Sequence, residues 1–323
     1  MARAVTATVD CEGCGIETVV GLLQPPFFCV VIPITRGSFL LSLSETADSD
    51  PQTLKQDWFF CLDLPMPTTV NSLYHRTEAH FFSATCPLHR SFNACVSAYF
   101  ADEVVNEWNL LFVRVGSEPL GVGMAACEQL IRSVVLPVRI VIHQEKVEAL
   151  AQSLQAMGFI FAQKTSAMVL DLKSFTAAVR TPVSDTISLT QSLDDWAAPL
   201  GSAFGLTAEG VARYQARHQV AIDRGEGFYH FALSVEGRPV SAITLSMCDG
   251  LARLNDMGTH IEFRGRGYAT RLIQVALAHA VSLGAQTCFL EASNDGFLLY
   301  RSFGFQALFD YQAFVRGPLV NGR

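Results

Sequence analysis

The stretch GTHIEFRGRGYATRLI, residues 258–273, joins a strand-like run to a helix-like run through two glycines and two arginines. Gly265 and Gly267 let the backbone take positive φ or approach a ligand closely. The run that follows, YATRLIQVALAHAVSLG, has apolar residues at helical spacing and ends on Gly284, suited to a C′ position. Its unpaired N–H groups and the positive end of its dipole point back into the loop, which makes the loop an anion site fit for a phosphate or pyrophosphate. Gly267-Tyr268-Ala269 lacks the Gly-Lys-Ser/Thr ending of a P-loop. Thr270 and the preceding hairpins fit a dinucleotide fingerprint poorly. The plain structural alternative is a tight turn with exposed arginines.

The flanking sequence supplies the context. Helix signals run through LDDWAAPLGSAF and TAEGVARYQARHQVAIDRG, where Thr207 is placed to cap the second helix. Three β-rich runs follow, divided by Glu236-Gly237 and Asp249-Gly250 as in tight hairpins. After the glycine loop and its helix, TCFLEAS reads as a short buried strand, DGFLLYRSFG as a short helix and FQALFDYQAFV as a closing strand pair. In the first half NLLFVRV, LGVGMAAC and LPVRIVIH read as strands, EKVEALAQSLQAMG as a helix and FIFAQKTSAMVLDL as another closing strand pair. Residues 1–60 give no sustained period. Gly158-Phe159 and Met168-Val169 recur, with the same order of elements, as Gly304-Phe305 and Phe314-Val315, which suggests a duplicated unit.

Arg264-Gly265-Arg266-Gly267-Tyr268-Ala269 resembles the Arg/Gln-x-x-Gly-x-Gly/Ala signature of the GCN5-related N-acetyltransferase (GNAT) superfamily. LEASNDGFLLYRSFGF is similar to that family's strand, short helix, Tyr and Gly-Phe, so the resemblance spans residues from about 188 to 316. It implies an α/β fold, a GNAT-like mixed central sheet flanked by helices, and the Gly-Phe repeat extends this to two tandem GNAT-like domains. The expected division is a degenerate first domain over 1–173, a linker over 174–186 and an acetyl-CoA-binding domain over 187–317. The resemblance further implies that Met257, Gly258 and Thr259 meet the pantetheine of acetyl-CoA, the co-substrate. The amides of Arg264, Gly265, Arg266, Gly267, Tyr268, Ala269 and Thr270 would hold its pyrophosphate. Ser293 departs from the pattern, since many relatives carry Asn there.

Transfer of an acetyl group to an amine needs a proton donor for the departing thiolate, and Tyr300, read as sitting at the start of its helix, is the candidate. Asp256 and Glu291 are the candidate bases, because a carboxylate within an apolar strand must be hydrogen-bonded or face a site. His260 reads as a surface residue. Cys11-x-x-Cys14 has no second pair, and His75, His80, Cys86, His89 and Cys95 lack a metal-ligand spacing, so no metal is expected. Trp58-Phe59-Phe60 and Phe81-Phe82 read as core. A net charge of −7 without a basic run argues against nucleic acid. Nine scattered cysteines suggest a reducing, cytoplasmic setting. Pro25 and Pro26 break the apolar stretch Ile16 to Ile34, so neither a signal peptide nor a membrane span is expected. The expected activity is acetyl transfer to a small-molecule or peptide amine; a CoA-binding regulatory protein is the alternative.

Overall fold

A computed structural model describes residues 3–10, 17–23, 40–44, 59–60, 69–92, 95–100, 109–114, 138–175, 185–190 and 192–316. The strand expected over Leu120–Cys127, the Cys11-x-x-Cys14 pair and most of the expected linker lie outside these. The chain forms two compact units, Met1–Thr68 and Thr69–Arg323. In the first, β1 (Arg3–Asp10), β2 (Glu17–Leu23), β3 (Leu40–Ser44) and β4 (Phe59–Phe60) make an antiparallel sheet in the order β2-β1-β3-β4. The position 173–174, where sequence suggested a boundary, falls inside the second unit.

Among the described residues, the second unit is built on one eleven-stranded sheet. Its first half supplies α1 (Val70–Thr85), β5 (Leu88–Ser91), β6 (Val96–Phe100), β7 (Asn109–Val113), β8 (Val138–His143), α2 (Gln144–Ala156) and β9 (Ile160–Asp171). Its second half begins with β10 (Asp185–Leu189), α3 (Leu193–Phe204), α4 (Ala208–Asp223), β11 (Gly227–Val235), β12 (Arg238–Cys248) and β13 (Leu251–Thr259). It ends with α5 (Tyr268–Ser282), β14 (Thr287–Ser293), α6 (Asn294–Ser302) and β15 (Gln306–Arg316). The strand order is β10-β11-β12-β13-β14-β9-β15-β8-β7-β6-β5.

Local chemistry explains most boundaries. At the two hairpins Glu236, Gly237, Asp249 and Gly250 all take positive φ, as a two-residue primed turn demands. Thr207 caps α4, its hydroxyl accepting from the Gly210 amide at 3.1 Å. The apolar stripe of α5, Leu272, Ile273, Ala276, Leu277 and Ala280, is fully buried against Ile243, Leu245 and Leu254 of the sheet. Burial of each leucine or isoleucine there contributes about 1.5–3 kcal/mol. Because α5 crosses over, β13 and β14 run parallel.

The two segments expected to close as strand pairs do not fold back. FIFAQKTSAMVLDL is one strand, β9, and FQALFDYQAFV is one strand, β15. Neither contains a Gly, Pro or Asn turn signal, and what breaks the pattern is a bulge, at Ala307/Phe309 and at Ala313/Phe314. Instead of pairing with itself, each strand crosses into the other half. β9 lies between β14 and β15, and β15 lies between β9 and β8. The pairing is symmetric: Val315 faces Ile160 and Gln306 faces Val169. His143, opposite Tyr311, and Ser293, opposite Thr165, occupy matching places, and each side chain caps the helix that follows. β7 is parallel to β8 as β13 is to β14.

Candidate active site

The site begins where β13 and β14 part. They are paired only through Ala252–Cys288, Arg253–Phe289 and Leu254–Leu290, while β13 runs on to Thr259. At the same place β13 bulges against β12, the register shifting between Ala242 and Thr244. Asp256, in the bulge, has φ of 51°, a conformation that costs most residues about 1–2 kcal/mol but that Asp tolerates better than most. The bulge turns the Asp256 carboxylate off the strand's regular alternation. Past it, Gly258 lies so close under α3 that a Cβ would come within 2.6 Å of Leu200 Cδ2 and 2.9 Å of Ala203 Cβ. Glycine here is a packing requirement of the strand that forms one arm of the opening.

Beyond the opening stands the glycine loop. Gly265 and Gly267 both have φ of 76°, and a Cβ added at either would meet nothing within 4 Å beyond its chain neighbours. Gly267 is the N-cap residue of α5 and provides no side-chain cap, so the first amides of the helix meet no capping group. Arg264 reaches away from the loop, donating to the carbonyls of Ala203 at 3.1 Å and Thr259 at 3.3 Å, and so ties the end of α3 to the end of β13. Arg266 donates to the Glu262 carbonyl at 3.2 Å and lies over the Phe263 ring. These arginines shape the loop, while the open face belongs to backbone amides. An uncapped helix N-terminus with two αL glycines and a strand edge freed by the splay fits a pyrophosphate followed by an extended amide-bearing arm.

A cavity of about 240 Å³ adjoins Asp256. Its polar wall is Tyr214 and Arg217 of α4, Arg253, Asn255 and Asp256 of β13, and Glu291 of β14; Phe81, Phe82 and Leu110 from the first half supply an apolar wall. Helix α1 therefore completes the site of the second half, and Phe81-Phe82 do more than fill core. Tyr214 donates a short hydrogen bond to Asp256 Oδ1. Asp256 Oδ2 accepts no hydrogen bond among the described residues, and His218 Nε2 lies 3.6 Å from it. His218 Nδ1 is 2.9 Å from His230 Nε2. Burial raises the Asp256 carboxyl to about 6, against the pull of Tyr214, of Thr244 and of the Arg217 and Arg253 charges. Burial also holds His218 well below the usual histidine range and His230 at about 4, so both rings are neutral near pH 7. The sequence gives no hint of this cluster beyond the spacing of Tyr214 and His218, one turn apart on α4.

The other expected residues are placed as follows. Glu291 is raised by burial and by Glu78, and accepts from Thr165 Oγ1 at 2.6 Å, across the strand contributed by the first half. Tyr300 lies in the last turn of α6, not at its start, because the helix begins earlier, at Asn294. Its ring packs on Phe305, and burial, with Cys288 and Asp256 adding, pushes its phenol above the usual range. Ser293, at the family's Asn position, is occupied in capping α6 through Gly296. Met257 packs on the core, and Thr259 Oγ1 is 2.8 Å from Ser241 Oγ. Tyr268 is buried under the Arg271 guanidinium, with Ala269 and Thr270 following in the first turn of α5. His260 caps the short 3-10 turn after β13.

The crowded His and Cys residues have separate partners. His75 contacts Glu78 and Tyr311, His80 contacts Glu226, and Cys86 accepts from Arg217 at 3.3 Å. Among the described residues no group of three or more His, Cys, Asp and Glu is placed to hold a metal, and no helix is long and apolar enough to cross a membrane.

Residues 191–305 match the model of the Acetyltransferase (GNAT) family. No curated protein matches the chain. Among solved structures, a GCN5-related N-acetyltransferase from Kribbella flavida is similar at 14% identity and a TM-score of 0.57, covering 78% of this chain and 97% of that one. Another, from Sphaerobacter thermophilus, aligns at 17% identity and a TM-score of 0.51, covering 69% and 76%. A tandem GNAT protein from the clavulanic acid biosynthesis pathway aligns at 17% identity and a TM-score of 0.50, covering 72% and 84%. At these identities the likeness is one of fold.

Proposed function

We propose, from the premise that this chain carries a GNAT acetyltransferase domain in residues 191–305, that it transfers the acetyl group of acetyl-CoA to an amine by direct attack. Acyl transfer is the chemistry of the family; the donor, the acceptor and the residue roles are our reading. The observation that carries it is the adjacency of three features on one strand. They are the parting of β13 from β14, the bulge at Asp256 and, after a short turn, the uncapped start of α5. In this reading the amides of residues 264–270 hold the pyrophosphate. The free edge at Met257, Gly258 and Thr259 takes the pantetheine, and a bulge amide polarises the thioester carbonyl.

Asp256 is then the base. Its carboxyl at about 6 is ionised at neutral pH yet far more basic than an exposed aspartate, and it accepts a proton from the acceptor ammonium. The free amine attacks the acetyl carbon, the N–C bond forms, and the C–S bond breaks as the tetrahedral adduct collapses. The second proton of the nitrogen leaves as the thiolate takes one. We assign that donation to Tyr300, whose raised pKa keeps it protonated while making the transfer less favourable. Tyr214 and His218 are positioning residues that hold the base. Glu291, bonded to Thr165, serves as a second carboxylate of the cavity wall.

The first half takes a supporting part in this proposal. At the place matching Tyr300 stands Leu154, buried in that half's own core, and at the place matching Glu291 stands Val141. What it contributes is α1 and β9, which line the cavity and flank β14. The test is thiol release from acetyl-CoA with a broad amine panel, alongside Asp256→Asn. Turnover that is acceptor-dependent and lost in the variant supports the assignment. Saturable acetyl-CoA binding without turnover on any amine would favour a CoA-binding regulatory protein instead.

A further inference from the structure

The cavity beside Asp256 holds two buried groups of opposite sign that the protein leaves incompletely satisfied. One is Asp256 Oδ2. The other is Arg253, 2% exposed, whose Nε donates to Asn255 at 2.9 Å and whose Nη2 is 3.4 Å from Tyr74 Oη. Its Nη1 is buried with no hydrogen-bond partner among the described residues, while the guanidinium lies over the Tyr74 ring at 4.7 Å. Glu78 and Glu291 lend it negative charge, but their hydrogen bonds go elsewhere, Glu78 to Arg114 at 2.7 Å and Glu291 to Thr165 at 2.6 Å. A buried guanidinium N–H left without an acceptor is costly, and an anion entering the cavity would supply one.

Size and lining narrow the ligand. At about 240 Å³ the cavity is smaller than the roughly 300–1,000 Å³ typical of drug-sized pockets. Besides the polar wall that carries Asp256 and Arg253, the cavity has the apolar lining of Phe81, Phe82 and Leu110. Resting on the acyl-transfer reading above, we propose that the acceptor is a free α-amino acid with an apolar side chain, its ammonium at Asp256 and its carboxylate at Arg253. The side chain lies against the phenylalanines of α1. The reaction balances as an N-acetylation: the α-nitrogen bonds to the acetyl carbon, the carbon–sulfur bond breaks, one ammonium proton goes to Asp256 and the second ends on the CoA sulfur.

Matched substrates test this without altering the protein. Thiol release from acetyl-CoA is compared for L-leucine against 3-methylbutylamine and L-leucinamide, and for L-phenylalanine against 2-phenylethylamine. The expected result is a kcat/KM for each amino acid about tenfold or more above its carboxylate-free partner, the factor a charged hydrogen bond commands. In a second arm, Arg253→Gln raises the KM for L-leucine about tenfold with the acetyl-CoA Kd unchanged, and Arg253→Lys restores part of the loss. Equal or faster turnover of the plain amines overturns the inference while leaving acyl transfer intact. If no acceptor releases thiol although acetyl-CoA binds, it is acyl transfer that falls. Calorimetry with L-leucine and 3-methylbutylamine in the presence of CoA then decides the site alone: tighter amino-acid binding supports it, and equal or absent binding overturns it.

Discussion

Removing one hydroxyl, in Tyr214→Phe, measures how the protein sets the strength of its base. The ring stays, stacked on Trp196 at 5.4 Å, so folding is preserved while the donor to Asp256 Oδ1 is lost. Tyr214 is itself held well above the usual phenol range, so it donates throughout the working pH range. A hydrogen bond to a charged group contributes about 1.5–3 kcal/mol, and one pKa unit corresponds to about 1.4 kcal/mol, so Asp256 should move up by about one to two units from its value of about 6. At pH 7 the ionised fraction then falls from about nine-tenths to between about one-half and one-tenth, a two- to tenfold loss of kcat that disappears near pH 9. The assay is kcat against pH from about 5.5 to 9.5 at saturating substrates. The same acceptor serves both enzymes, so that its own titration cancels in the ratio. Superimposable acid limbs in a folded variant would show that Asp256 is not the titrating base, or that Tyr214 does not tune it.

Asp256→Asn should stabilise the fold while abolishing activity. With a folded pKa of about 6 against an unfolded value of about 3.9, the folded state binds more protons between these pH values. Stability from this group is therefore full below about pH 4 and lost as pH rises to 6, by up to about 3 kcal/mol. A melting scan at pH 8 should place the variant a few degrees above the parent, and an equal or lower melting temperature would count against it. Gly267→Asp should abolish acetyl-CoA binding, because it sets a negative charge in the open face of the loop, and calorimetry on a folded variant reads this directly. Tyr300→Phe should keep cofactor affinity and lower kcat toward the weaker end of the 10²–10⁴ range for a general acid, about 10², since its raised pKa makes it a reluctant donor. Gly258→Ala should cost about 1–3 kcal/mol by driving a methyl into Leu200 and Ala203, seen as a lower denaturation midpoint.

What could be read from the chain was local. The positive-φ pairs at Glu236-Gly237 and Asp249-Gly250, the Thr207 cap and the glycine loop are each decided by a few adjacent residues, and each stands where the pattern put it. The partners of β9 and β15 could not be read, because an apolar run carries its own periodicity but nothing about which strand lies beside it. The same limit hid the surroundings of Asp256. Tyr214, His218 and His230 come from a helix and a neighbouring strand and meet it only once α4 is packed on the sheet. Arg253 reads as an ordinary alternating strand residue until its burial and its unpartnered Nη1 are seen together.

The crossing of β9 and β15 also dictates an order of events during synthesis. β8 and β9 leave the ribosome before the strand that covers β8 and completes β9, the stretch Gln306–Arg316, which emerges only after α3 to α6. Until those residues emerge, the nascent protein carries an unsatisfied row of backbone donors and acceptors along β8, with apolar Val138, Ile140 and Ile142 beside it. A stop codon or frameshift just before residue 306 would therefore damage the first half as severely as the second, and the truncated product should be insoluble. Closure across so long a separation in sequence is expected to be slow, which leaves that sheet edge open to mispairing in the meantime.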